Sequence, residues 1–131
     1  MIRSWTDLLE DPDPILSLFG SSPSLTDFLL AELHISGDEG ACMFRGTFSS
    51  FPTNRLPDWE EDANRLGMHL WLVDLVDFEI SGWSSENLID LKLEFETPQS
   101  FIDVHAQGET FSFQGRCRSL HIEKLFAYRT G

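Results

Sequence analysis

The sequence predicts a mostly β (α+β) fold, with a seven- to eight-strand antiparallel sheet, curled or two-layered, and one or two short N-terminal helices. Beyond about residue 27 the apolar residues recur with a period of two, which is the period of a strand. Gly, Pro, Asn and Ser clusters separate the resulting segments at regular spacing. The 131 residues are 41% hydrophobic and include 11 Phe and 4 Trp, which is enough to fill one core. Residues 1–131 are therefore predicted to form a single domain.

Helical patterns are confined to the first twenty residues. Trp5 to Glu10 can form a turn or two of amphipathic helix. Asp13 and Pro14 then have the character of a helix start, with Asp13 at the cap and Pro14 in the first turn. An apolar stripe follows, and Gly20 is predicted to end the helix because glycine tolerates the left-handed conformation.

The predicted strands follow the SSPS turn and cover most of the remaining chain. Their approximate ranges are 29–36, 42–48, 68–73, 75–80, 88–95, 101–106, 110–115 and 120–127. The clearest alternation lies in the fifth segment, where charged residues such as Lys92 and Glu94 are expected to face outward. The inward set predicted for that strand is Ile89, Leu91, Leu93 and Phe95.

The charge balance limits the partners that this protein can have. There are 22 acidic and 9 basic residues, giving a formal net charge of -13. Such a chain is unsuited to nucleic acid, which requires clustered Lys and Arg, and anionic membrane surfaces repel it. A field of this sign instead steers a basic protein partner, although acidity also serves solubility alone. No signal-peptide pattern or membrane-length apolar run is present, so the cytoplasm is the expected location.

Candidate catalytic and metal-binding residues do not form a known motif. The four histidines, one of them His121, occur singly in predicted strands, and Cys42 and Cys117 lack metal-motif spacing. Cys117 and His121 would lie roughly 13 Å apart along a strand, too far to share one metal ion. No nucleophile elbow, P-loop or dinucleotide fingerprint is found. We therefore expect no catalytic residues, no metal, no cofactor and no enzymatic activity.

The densest acidic segment is PDWEEDANRL at residues 57–66, within a long loop between two predicted strands. Asp58, Glu60, Glu61 and Asp62 surround Trp59. One interpretation is that Trp59 folds back onto the core while its neighbours remain in solvent. The other is a recognition loop, in which an aromatic anchors a contact and the surrounding charges select the partner. The two interpretations are compatible, and these five residues form the candidate binding site.

The order of several short motifs resembles family fifty of the bacterial immunity proteins, which accompany polymorphic toxins. The motifs are Trp5, ILSLFGSSPSLTD at residues 15–27, Trp59, Asn64 ahead of MHLWLVDLVDFEISGW, and Asn87 before the next strand. Phe19-Gly20 with Pro23, and Phe78 through Gly82-Trp83, are the most specific of them. The chain has Thr26-Asp27 where the family pattern has His-Asp. The resemblance implies a protein that binds and neutralises a cognate toxin, and it transfers no catalytic residue.

Three functional hypotheses follow from the sequence. The leading one is a cytoplasmic immunity protein that binds a basic toxin domain through an acidic surface. The alternative is a small-ligand-binding β domain with a Phe-lined cavity. The third is a hydrolytic enzyme, which would require paired carboxylates with perturbed pKa values in a cleft. The sequence leaves the oligomeric state open.

Overall fold

The computed structural model describes residues 4–38, 40–84, 87–96 and 101–130. Within these ranges, a 3₁₀ turn (Trp5–Leu8) and an α-helix (α1, Asp13–Phe19) precede eight strands. The strands are β1 (Phe28–Ser36), β2 (Ala41–Thr47), β3 (Arg65–Val73), β4 (Val76–Ser81), β5 (Asn87–Glu96), β6 (Phe101–Gly108), β7 (Ser112–Cys117) and β8 (Ser119–Tyr128). The predicted mostly β fold is confirmed.

Helix α1 ends as predicted and begins differently. Gly20 adopts a left-handed conformation with φ 77°, and its N–H donates to the Leu16 carbonyl at 2.8 Å. The predicted cap at Asp13 is wrong, because Pro12 is the N-cap residue and Asp13 is already helical. The Asp11 carboxylate accepts a hydrogen bond from the Asp13 N–H at 3.2 Å, which partly satisfies the unpaired donors at this end.

The eight strands form one open antiparallel sheet in the order β4-β7-β6-β5-β1-β2-β3-β8. The β2 residue Phe44 contacts the β7 residue Phe113, with ring centroids 5.0 Å apart. Because β2 and β7 are four places apart in the sheet, a flat sheet would separate them by roughly 19 Å. The sheet must therefore curl, so that the β4-β7-β6-β5 half packs over the β1-β2-β3-β8 half.

The core lies between these two halves and confirms most of the predicted faces. Ile89, Leu91 and Leu93 of β5 are buried, as the alternation predicted. Phe95 belongs to the same face but is 40% exposed, so its predicted burial is wrong. It lies one residue before the end of β5. A period of two indicates which face a residue occupies, and only the neighbouring layer decides whether that face is covered.

The N-terminal segment packs against the beginning of β8, which is an edge strand. Leu9 forms a parallel bridge with Leu120, and the Glu10 N–H donates to the Leu120 carbonyl at 3.1 Å. Farther along, Ile15 and Leu18 of α1 are buried in the core. These contacts place α1 beside β8 and beside the loop between β2 and β3. That loop was predicted to extend to Gly67, but β3 already begins at Arg65.

Candidate protein-binding surface

The acidic segment lies in the loop between β2 and β3 and is built from two short turns. The Trp59 N–H donates to the Leu56 carbonyl at 3.2 Å, and the Ala63 N–H donates to the Glu60 carbonyl at 3.1 Å. Asp58, Glu60, Glu61 and Asp62 are all exposed, whereas Ala63 is buried. The turns therefore hold the loop close to the core while the carboxylates face solvent. We call residues 56–63 the acidic loop.

Arg55 stabilises the acidic loop through hydrogen bonds from its side chain to the loop backbone. Its guanidinium donates to the carbonyls of Glu60 at 2.7 Å, Glu61 at 3.0 Å and Ala63 at 3.0 Å. The same group lies 5.2 Å from the ring centroid of Phe51. A planar guanidinium suits this role because its donors are arranged in a fixed fork. One side chain thus binds three carbonyls of the loop and restricts the conformations that the loop can adopt.

Trp59 is half-buried and packs against the hydrophobic core. Its ring meets Phe51 edge to face, with centroids 5.7 Å apart. The side chain also lines an open apolar groove of about 350 Å³. The position of Trp59 is thus intermediate between the two predicted for it, because it packs on the core and still lines an open surface.

The groove runs between α1, the acidic loop and β8. Its lining is mainly apolar and comprises Pro14, Ser17, Leu18, Leu56, Trp59, Ile122, Glu123, Lys124 and Leu125. Leu56 is 46% exposed, a large fraction for a leucine beside a core. The sequence did not indicate this groove, because its three sides are distant in the chain. The one local signal was an apolar residue, Leu56, two positions before the first loop carboxylate, Asp58.

The loop carboxylates differ in their partners. Asp62 forms an ion pair with Arg129 at 3.2 Å, and both side chains are well exposed, so the pair adds little stability. In the described part of the chain, Asp58, Glu60 and Glu61 form no ion pair. Asn64 follows the acidic loop and links it to the C-terminal segment, because its side chain donates to the Thr130 carbonyl and accepts from the Thr130 N–H. Three of the four carboxylates are therefore exposed without an ion pair in the described residues, while the Arg55 guanidinium binds the backbone carbonyls nearby.

The structure places His69 beside a carboxylate, without a metal site in the described ranges. His69 Nδ1 lies 3.6 Å from Glu123 Oε1, and the Trp71 indole N–H donates to the same oxygen at 3.1 Å. These groups lower the pKa of the exposed Glu123 carboxyl, with the Trp71 hydrogen bond as the largest cause. Among residues 4–38, 40–84, 87–96 and 101–130, no group of three or more His, Cys, Asp or Glu could hold a metal ion.

The two cysteines are buried and form no disulfide with each other. Burial raises the pKa of Cys42 and of Cys117 to about 12, and for Cys42 the nearby Cys117 adds to the effect. A thiol with a raised pKa stays protonated at neutral pH and is a poor nucleophile. Neither cysteine therefore has the properties of a reactive residue.

The fold and surface define a small acidic antiparallel β protein with a tethered loop beside an apolar groove. No helix in the described residues is long and apolar enough to cross a membrane. The family model for Immunity protein 50 matches residues 11–128, nearly the whole chain. The chain therefore belongs to the Immunity protein 50 family and is an immunity protein, and the predicted resemblance is confirmed. No curated protein and no solved structure matches the chain.

Proposed function

We propose that this immunity protein binds a cognate toxin domain of basic character and neutralises it in the cytoplasm, using the acidic loop as part of its contact surface. Family membership supports the class of function. The observation that supports the site is the tethering of the acidic loop by Arg55, which leaves Asp58, Glu60 and Glu61 exposed and without ion pairs in the described residues.

The exposed charges of the acidic loop act mainly on association with a partner. Exposed carboxylates contribute little to folding, but their summed field accelerates the approach of a positively charged partner. A tethered loop also has little conformational entropy left to lose on binding. A toxin that acts on nucleic acid carries the basic surface that this field would attract. We therefore expect a nuclease-like toxin domain and protection in the compartment where it acts.

The test uses the toxin domain encoded beside this chain's gene, in a catalytically inactivated form. The loop variant carries Asp58→Asn, Glu60→Gln, Glu61→Gln and Asp62→Asn. The control variant removes four exposed carboxylates elsewhere, with Asp38→Asn, Glu79→Gln, Glu94→Gln and Glu109→Gln. Both variants have the same net charge, so a difference between them reports the location of the charge.

Association rates are measured at low and high ionic strength, together with protection of cells that express the active toxin. The loop variant is expected to associate roughly tenfold more slowly than the control at low salt, with a weaker salt dependence. Its thermal stability should stay near that of the control. Equal association rates and equal salt slopes for the two variants would show that the loop is a solvated lid with no part in recognition.

The alternative of a small-ligand-binding domain has no specific observation in its favour. The groove beside the acidic loop is lined mainly by Leu, Ile, Trp and Pro, with Ser17, Glu123 and Lys124, and no phenylalanine is among its lining residues. The core phenylalanines of the described residues pack on one another: Phe28 contacts Phe48, and Phe44 contacts Phe113.

A further inference from the structure

Strand β8 has an outer edge that is open for most of its length. It pairs with β3 on one side and is last in the sheet order. On the other side, Glu10 hydrogen-bonds to the Leu120 carbonyl and covers only the beginning of the strand. In the described ranges, no further backbone hydrogen bond reaches this edge beyond Leu120. An edge strand presents a row of unpaired N–H and C=O groups that can pair with another chain.

The residues whose backbone groups face outward can be identified. The Leu120 carbonyl points away from β3, since it accepts from Glu10. Strand residues alternate in direction, and the register skips Glu123, which marks a bulge opposite His69. The outward positions after Leu120 are therefore Ile122, Leu125 and Ala127. Their three N–H groups are the donors available to an added strand.

The apolar groove lies directly beside this edge. Ile122 and Leu125 of β8 form one side of it, and Leu56 and Trp59 of the acidic loop form another. Successive side chains of a strand point to opposite faces of the sheet, so every second side chain of an added strand would face the groove. Backbone pairing would supply affinity, and the groove would supply a place for the apolar side chains of the partner.

The charges around the groove determine the character of the occupant. The exposed carboxylates of the acidic loop lie on one side, and Asp11 and Asp13 lie at the start of α1 on the other. Lys124 lies on β8 itself, where its ammonium is 5.8 Å from the Phe126 ring centroid. The acidic groups outnumber Lys124 together with the two guanidinium groups at the acidic loop, those of Arg55 and Arg129. A strand that pairs with β8 is therefore complementary in charge to this site when the residues that do not enter the groove include Lys or Arg.

We infer that the cognate toxin domain docks by adding a basic edge strand to the outer edge of β8, with its apolar side chains in the Leu56–Trp59 groove. This inference rests on the proposed function and identifies the contact within it. The opposite edge, β4, is less suited to strand addition. Its pairing with β7 is interrupted between Val76 and Glu79, and Asp74 and Asp77 have positive φ. Only a short regular edge remains there.

The first measurement is hydrogen exchange of the full chain, free and bound to the inactivated toxin domain encoded beside it. Strand addition predicts at least tenfold slower exchange at the amides of Ile122, Leu125 and Ala127 in the complex. The β4 amides of Glu79 and Ile80 should not change. A complex in which the β8 amides exchange as in the free protein, or in which the β4 amides become protected, overturns the inference and leaves the proposed function standing.

The second measurement uses two pairs of matched variants. Ala127→Pro removes one outward donor without altering the β3 pairing, and Ala127→Ser keeps that donor. Leu56→Gln makes the groove polar, and Leu88→Gln changes a leucine of β5 that is 54% exposed. Ala127→Pro and Leu56→Gln are expected to weaken toxin binding at least tenfold, whereas the two controls stay within twofold.

The outcomes separate the two proposals. If Leu56→Gln and Ala127→Pro bind as tightly as their controls while both fold normally, the contact is elsewhere and the inference is wrong. If the unaltered chain neither binds the toxin domain nor protects cells from it, the proposed function itself fails. Should Ala127→Pro not fold, the exchange measurement on the unaltered protein and the Leu56 and Leu88 variants still decide the matter.

Discussion

Arg55 provides the sharpest test of how the acidic loop is held. We predict that Arg55→Gln will loosen the loop without unfolding the sheet. The guanidinium donates three hydrogen bonds to loop carbonyls and lies over Phe51. A hydrogen bond of this kind contributes about 0.5–1.5 kcal/mol net, and an exposed cation–π contact about 0.5–1 kcal/mol. Because Arg55 is exposed and water can replace part of these contacts, we expect a local cost of about 2 kcal/mol.

A local cost of about 2 kcal/mol corresponds to roughly 30-fold faster opening of the loop. Native-state hydrogen exchange can read this directly at the amides of Trp59 and Ala63, which donate to loop carbonyls. The amides of the central strand β2 should exchange as in the unaltered protein. Arg65→Gln is the matched control, because Arg65 is an exposed arginine at the start of β3.

Exchange rates at Trp59 and Ala63 that agree within a factor of about two between Arg55→Gln and Arg65→Gln would show that Arg55 does not hold the loop. An equal loss of protection in β2 would show instead that Arg55 supports the whole fold. The expected functional consequence is faster dissociation of the toxin domain from Arg55→Gln, because a looser loop loses more entropy on binding.

Two further predictions concern the core. Phe28→Ala should lower the free energy of unfolding by about 3–5 kcal/mol, because Phe28 is fully buried against Phe48. Phe95→Ala should cost about 1 kcal/mol or less, because that ring is 40% exposed; equal urea midpoints for the two variants would contradict this difference in burial. The buried Cys42 and Cys117 have pKa values raised from 9.0 to about 12. The folded state therefore holds protons that the unfolded state releases, so stability should fall as pH rises from 9 towards 12. Urea denaturation at about pH 8 and about pH 10.5 checks this, and a Cys→Ala double variant should lose that part of the slope.

The elements that the sequence determined are those set by neighbouring residues. The alternation at residues 88–95 identified β5 and its faces, since a strand places successive side chains on opposite sides. Gly20 marked the end of α1, because few other residues adopt a left-handed conformation without strain. The order of short motifs also indicated the immunity family, which the match to residues 11–128 confirmed.

The tertiary structure decided the features that depend on distant residues. No local pattern distinguishes β8 as an edge strand, because that follows from the order in which eight strands pair. The groove arises where α1, the acidic loop and β8 meet, and Leu18, Trp59 and Ile122 are far apart in the chain. Phe95 is exposed for the same reason, since its face is correct and the opposite half of the sheet does not cover it. Periodicity is a property of the backbone over a few residues, whereas burial and edges depend on how the sheet curls over itself.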